Sequence, residues 1–255
     1  SSFSAWDTYR TQSQLIAMLY PKESSDMVQS LVDFAEQSGG YGRWILANIE
    51  TGIMQGDPTP IIIANSHAFG ATNFDVTKAY KYMKLGATKL NLFSQNQEVR
   101  PYLKEYMRDG FTYASMMLEY SSADFAIGQF ALSAINNKVD YKYFVNRSQN
   151  WKNIYNPETK WLNSKEITGE WKNKKDDWRE GTYKNYFWMV PHNLKGLIDT
   201  IGGSKMAVKR LDKLFERMRN NSSDDWTSWN CQWHDRRIPN NWNARHGKPF
   251  RISWR

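Results

Sequence analysis

Cysteine is all but missing from this sequence: Cys231 stands alone among 255 residues. A single thiol excludes an internal disulfide framework and a zinc site built on cysteines. No apolar run approaches the roughly 18 residues that a membrane-spanning helix requires. Histidine is scarce as well. His67, His192, His234 and His246 form no pair at the i,i+4 spacing of H-E-x-x-H, and Cys231 with His234 has no further ligand nearby. A G-x-x-x-x-G-K-[ST] loop, a G-x-G-x-x-G turn and a G-x-S-x-G elbow are all absent, so nucleotide chemistry and serine hydrolysis lack support. The opening residues SSFSAWDTYR hold neither a methionine start nor a signal-like segment, and the sequence is expected to begin inside a longer protein.

Negative charge is short at one end only. From Lys205 to Arg255 there are 12 Lys and Arg against 5 Asp and Glu, so this fifth of the chain carries +7 of the net +8. The remaining body is nearly neutral. The basic pI is therefore weak support for a nucleic-acid module, and no nucleic-acid partner is expected. Asn221 to Arg255 has five Trp and no Leu, Val or Met, with neither helical nor strand periodicity. Residues 220–255 read as an irregular basic tail, disordered or not native to the family of the preceding residues.

What is abundant is aromatic: 12 Trp, 14 Tyr and 12 Phe. Such side chains suit cores and also sugar or base platforms. The periodicity is helical. Thr11–Pro21 places Leu15, Ile16 and Leu19 before a proline stop. Ser24–Gly40 has a Ser/Asp cap candidate, an apolar face of Met27, Val28, Leu31, Val32 and Phe34/Ala35, and a Gly39-Gly40 end. A helix is expected to begin near Pro60. Asp75–Ala87 keeps Val76, Ala79, Tyr80 and Met83 in register. Glu119–Ile135 is the longest apolar candidate, with Phe125, Ile127, Phe130, Ala131 and Ala134 inward. Lys160–Arg179 reads as a long exposed loop. Ser204–Arg219 reads as a helix capped by Ser204, with Met206, Val208, Leu211, Leu214 and Phe215 on its apolar side. Few runs alternate with period two, so the class is mostly α.

Two constellations have chemistry in them. In WDTYR, Asp7 sets a hydrogen-bond acceptor beside the face of Trp6, the pairing a sugar needs for its hydroxyls and its C–H face. Spacing alone favours a plainer role, Asp7 capping the next helix with Arg10 paired to it. In WREGTYKNYFWMVPHN, Glu180 sits among Trp178, Tyr183, Tyr186, Phe187 and Trp188. Apolar surroundings raise a carboxyl pKa and keep a proton available for donation. A glutamate in a first helical turn is again the plainer role.

Four segments in order carry a resemblance. FSAWDTYRTQ is similar to W-D-T-[FY]-R-T, and LEYSSADFAIGQFA to L-E-Y-x-x-x-D-[WF]-A-I-A. RSQNWKNIYNPETKWL matches R-S-x-N-[YW]-K-N-x-[FY]-[DN]-P-x-T. EGTYKNYFWMVPHNLKGLIDTIGG is similar to E-G-N-x-W-Q-Y-x-W-F-V-P-H-D-x-x-G-L-I-x-x-x-G-G. From about Phe3 to Phe215 the chain resembles the calcium-dependent exo-α-mannosidases of glycoside hydrolase family 92. The resemblance implies an incomplete (α/α)6 toroid of helical hairpins over residues 1–219. It implies hydrolysis of terminal α-mannosyl bonds in N-glycan-type oligosaccharides or glycoprotein glycans, with inversion. It places the general acid at Glu180 and a mannose-binding pair at Trp6 and Asp7. Calcium is the implied cofactor, with no assignable ligands, and a β-sandwich domain is the missing partner. A secreted, periplasmic or lysosome-like compartment is favoured.

The departures from the pattern set further expectations. Thr182, Lys184 and Asn185 stand where the family has Asn, Trp and Gln, and Asn193 stands for an Asp. Lys184 beside the acid is expected to favour its ionised form and to lower its pKa. The G-N-E-P-S-x-H segment and the aspartates of G-N-x-D-x-G-Q-M-S, which supply the base, are not found. A chain with an acid and no base is expected to be inactive alone. The competing reading is a non-catalytic glycan-binding helical module.

Overall fold

The computed structural model describes residues 2–172 and 177–219. The tail 220–255, with Cys231, His234 and His246, lies outside the described residues. The helices are α1 (Ala5–Thr8), α2 (Gln12–Leu19), α3 (Pro21–Ser38), α4 (Pro58–Ala68), α5 (Val76–Thr88) and α6 (Leu103–Asp109). They continue as α7 (Ala114–Ser133), α8 (Lys138–Arg147), α9 (Tyr183–Tyr186), α10 (Leu194–Thr200) and α11 (Ser204–Arg219). A 3₁₀ segment, Ser148–Ile154, extends α8. Among the described residues, strands occur as three two-residue antiparallel hairpins: β1 (Ile45–Leu46) with β2 (Ile49–Glu50), β3 (Phe93–Ser94) with β4 (Gln97–Glu98), and β5 (Tyr155–Asn156) with β6 (Trp161–Leu162). The mostly helical class is as the periodicity implied.

The longest helix, α7, is the axis of the structure. It packs against α4, α5, α8 and the 3₁₀ segment, and it is buried on nearly every face. Its first half gives Ala114, Met117 and Leu118 to an apolar cluster with Trp151, Leu162, Trp178, Phe187 and Leu197. Its second half gives Ala123, Ala126, Ile127 and Phe130 to a cluster with Leu31, Ile63, Met83 and Phe144. A helix enclosed in this way needs an apolar residue on all sides, and any polar residue on it needs a partner.

Asp124 of α7 has such partners. Arg147 at the end of α8 grips it with two nitrogens, Nε to Oδ2 at 2.6 Å and Nη2 to Oδ1 at 2.7 Å. Arg100 donates to its Oδ1 at 2.8 Å and to Asp57 Oδ2 at 2.7 Å. Tyr106 Oη adds a donor at 2.9 Å. These charges are buried. The group ties the loop before α4, the loop before α6, α7 and α8 to one point. The guanidinium groups of Arg147 and Arg100 outweigh burial and hold Asp124 below its ordinary carboxylate range.

Several boundaries and faces differ from the periodicity. Helix α3 starts at Pro21, which serves as its first residue and not as a stop for α2. The buried side of α2 is Ser13 and Ala17, while Leu15, Met18 and Leu19 are exposed. On α3 the expected face is buried from Val28 to Ala35, but Met27 is exposed. Helix α4 begins two residues before Pro60, and α7 begins at Ala114, where a start near Glu119 was expected. On α11 the inward stripe runs through Ala207, Leu211 and Leu214, with Met206, Val208 and Phe215 outward. At 100° per residue these three lie to either side of the stripe. The expected loop Lys160–Arg179 is only partly exposed: Leu162 pairs in β6, and Leu162, Ser164, Asp177 and Trp178 are buried.

Removing one member of the Asp124 group leaves the others charged and buried. Asp124→Ala is expected to cost about 3–5 kcal/mol of folding stability. Urea unfolding monitored by circular dichroism measures it, and a loss below about 1 kcal/mol would contradict this account.

Candidate functional site

Helix α1 and the segment leading into α9 come together against α7. A bridge between Phe3 and Ile45 anchors the start of the chain on the β1–β2 hairpin, and Trp6 N donates to Arg43 O at 3.1 Å. Helix α1 thereby presents Asp7 toward solvent, where Trp44 Nε1 donates to its Oδ2 at 2.9 Å. On the segment leading into α9, Trp178 is buried against Tyr186. Arg179 N donates to Ser115 Oγ on α7 at 3.1 Å. This places Glu180 within electrostatic reach of Asp7: burial pushes its carboxyl up first, the Asp7 charge pushes it up further, and Arg179 pulls it down.

Glu180 itself adopts φ 48°, the left-handed region. For a residue with a Cβ this costs about 1–2 kcal/mol. The turn that holds it there is a capping box: Thr182 N donates to Asn185 Oδ1 at 2.6 Å, and Lys184 N to Thr182 Oγ1 at 3.3 Å. Thr182 and Asn185, two of the departures from the family pattern, thus make a self-consistent start to α9. Asn193 also keeps a cap. Its Oδ1 accepts from Gly196 N at 3.1 Å, and its amide donates to Gln149 Oε1 at 2.7 Å.

The expected lowering of Glu180 by Lys184 is not what the structure has. The net direction is upward, and the cation acting on Glu180 is Arg179. The Lys184 amine instead lies over the Tyr183 ring at 5.9 Å.

Trp6 also differs from expectation. It is buried at 7% exposure, and the Arg10 guanidinium covers its ring at 4.7 Å. A covered ring offers no open face for a sugar to stack on; the half-buried Trp44 is the indole beside Asp7. Asp7 does not cap α2, whose cap position is Thr11, and Arg10 pairs with Glu119 at 3.7 Å in place of Asp7.

Glu119 is the residue that sequence reasoning passed over. It lies on α7, one turn after Ser115, with 1% exposure. Its Oε1 accepts from Trp6 Nε1 at 2.8 Å, with Tyr186 Oη at 3.4 Å and Gln55 Nε2 at 3.5 Å. Its Oε2 is buried with no hydrogen-bond partner. Gly56 passes directly over that oxygen at φ 77°, so close that a Cβ there would stand 2.1 Å from Oε2. Burial outweighs the Arg10 charge and the donors, and the carboxyl is pushed up to about 7. The signal was available in the sequence: a glutamate inside LEYSSADFAIGQFA, part of the longest apolar helix among the described residues. Through Trp6, Arg10 and Tyr186, Glu119 joins the element that carries Asp7 to the helix that follows Glu180.

Among the described residues, no group of three or more His, Cys, Asp or Glu side chains converges to hold a metal ion. No calcium ligands are assigned among these residues, and no step is assigned to calcium.

The family model for the glycosyl hydrolase family 92 catalytic domain matches residues 1–243. Among solved structures, a family GH92 alpha-mannosidase from Bacteroides thetaiotaomicron in complex with mannoimidazole superposes with a TM-score of 0.75. It is 26% identical, over 85% of this chain and 30% of its own. A family GH92 inverting mannosidase from Bacteroides thetaiotaomicron VPI-5482 gives a TM-score of 0.72 at 24% identity, over 82% of this chain and 30% of its own, a likeness of fold. The chain thus spans about 30% of the length of these structures. No curated protein matches it.

The raised carboxyl of Glu119 has a sign that can be checked. A folded-state value of about 7, above the ordinary glutamate value, means a stabilising contribution fully present below about 4.5 and lost as pH rises through about 7. Urea unfolding at pH 5, 6, 7 and 8 is expected to show stability falling on the order of 3 kcal/mol across that window. Glu119→Gln, which cannot ionise, is expected to flatten this fall.

Proposed function

The chain belongs to the family of glycosyl hydrolase family 92 catalytic domains, and from that premise we propose that it is the acid-bearing part of an enzyme that cleaves terminal α-mannosyl bonds. The observation that carries this reading is the joining of the two segments at Glu119, where Trp6, beside Asp7, and Tyr186, in the helix after Glu180, both donate to Oε1, with the Asp7 charge raising Glu180.

Hydrolysis of a glycosidic bond needs a proton at the leaving oxygen. Glu180 is partly buried, and its pKa is raised by burial and by the Asp7 charge, so it retains a proton better than a free glutamate. Asp7 is solvent-exposed and held by one indole donor, which leaves lone pairs for the hydroxyls of a non-reducing mannose. Trp44 lies beside it as the aromatic partner. Trp6 acts from beneath, fixed by Glu119, and orients Asp7 on the next residue. Glu180 stays in its strained turn because Ser115 and the capping box leave it little choice.

In this reading the substrate is a mannose-ended oligosaccharide of the N-glycan type and the reaction inverts the anomeric centre. The water-activating base and the β-sandwich partner come from elsewhere in the longer protein. The chain alone binds the sugar without turning it over. Mannoimidazole, the ligand held by the Bacteroides alpha-mannosidase, is the probe. Titration calorimetry is expected to give saturable binding to the 255-residue chain. Asp7→Asn should weaken it about tenfold or more, the loss of a hydrogen bond to a charged group. Binding that ignores Asp7→Asn and Glu180→Gln would sink the site assignment. Release of mannose by the wild-type chain would overturn its lack of turnover.

A further inference from the structure

The turn that carries Glu180 has a second face. Tyr186 points toward Glu119, while Tyr183, Lys184 and Trp188 open on the other side into a cavity of about 290 Å³. Trp161 of β6 and Arg210, Lys213 and Leu214 of α11 complete its lining. This cavity belongs to none of the contacts that build the Asp7–Glu180 site.

Its chemistry is one-sided. Three of its seven lining residues are cationic and none is acidic. The Arg210 guanidinium lies 3.9 Å from the centre of the Trp161 ring and 4.8 Å from that of Phe187. Its Nη1 is buried with no hydrogen-bond partner among the described residues. Burial pushes Arg210 below its ordinary value, and the opposing influence is Tyr155, not a carboxylate. A half-buried guanidinium of this kind is costly unless an anion meets it. The guanidinium fork matches a phosphate or a carboxylate, and the Lys213 amine adds a point charge on the same rim. The walls are Trp161 and Tyr183, with ring centres 5.2 Å apart at 87°, and Trp188. Edge-to-face aromatics with a polar rim suit the C–H face of a sugar ring. The volume has room for a single sugar ring, at the lower end of ligand pockets.

We propose that this pocket binds a sugar unit carrying a negative charge, a phosphate or a carboxylate, with Arg210 and Lys213 on the anion and Trp161, Tyr183 and Trp188 around the ring. Because Arg210, Lys213, Trp161, Tyr183 and Trp188 make none of the contacts that build the Asp7–Glu180 site, the assignment stands apart from the hydrolytic reading.

Binding of mannose 6-phosphate to the full chain is followed by ³¹P NMR, and binding of mannuronate by calorimetry. Inorganic phosphate, mannose and a short oligothymidylate serve as comparators. One or both charged sugars are expected to bind at least about tenfold more tightly than phosphate or mannose alone, and whichever binds identifies the anion. Added salt should weaken the binding. Lys213→Ala, on the exposed rim, and Arg210→Gln should each weaken it about fivefold or more, with unchanged circular dichroism for the Lys213 variant. Asp7→Asn should leave it unchanged, which separates failure here from failure of the hydrolytic site. Three results would overturn the proposal: no saturable binding of either charged sugar, phosphate binding as well as the sugar phosphate, or oligothymidylate outcompeting both. Indifference to Lys213→Ala and Trp188→Ala together would do the same.

Discussion

Everything in this structure hangs on one buried helix, and α7 stays in place through Asp124. A carboxylate with no exposure would be expelled or neutralised were it alone. Two guanidinium groups and a phenol make it tolerable, and in doing so they fasten three segments of chain to α7. Five residues earlier on the same helix, Glu119 is equally buried and behaves in the opposite way. It has one guanidinium at a distance and three neutral donors, so burial prevails and its carboxyl rises. The two acids differ in the count and closeness of cations, not in depth. One therefore serves as a rivet for the fold, and the other as a titratable joint between α1 and α9.

The sequence was most legible where a pattern is local. Helix periodicity placed α3, α5 and α11 within a few residues, because amphipathic faces and glycine ends are written in consecutive positions. It misplaced the outward side of α2 and α11, because a face is defined by what packs on it and not by which side holds more Leu and Val. Pro21 shows the same limit. A proline ends one helix and begins the next with equal ease, and only the three-dimensional path decides. Asp7 and Glu180 were singled out by the aromatic residues beside them, while spacing favoured plainer roles and only the resemblance assigned them to a site. That the Asp7 charge bears on Glu180, 173 residues further along, was not written in any window. Glu119 was overlooked because a glutamate in an apolar helix draws attention only when its partners, Trp6 and Tyr186, are seen around it.

Departures from a family pattern gain or lose meaning by their contacts. Thr182 and Asn185 replace Asn and Gln, yet together they close a capping box. Asn193 in place of Asp still caps α10, since either side chain offers an oxygen to Gly196 N. Lys184 changes more. In place of an indole it brings a charge, which lies over the Tyr183 ring on the lining of the cavity shared with α11.

The segment after Glu180 faces two demands that could conflict. A proton donor needs apolar surroundings and no close cation, whereas an anion site needs cations in a confined aromatic space. The segment Tyr183–Trp188 meets both: Tyr183, Lys184 and Trp188 line the cavity, and Tyr186 reaches Glu119. The capping box fixes the rotation of that turn. If it were loosened, Lys184 would be free to swing toward Glu180, and the carboxyl would lose the upward push that burial gives it. The local stability of a four-residue helix therefore bears on the protonation of the residue three positions before it.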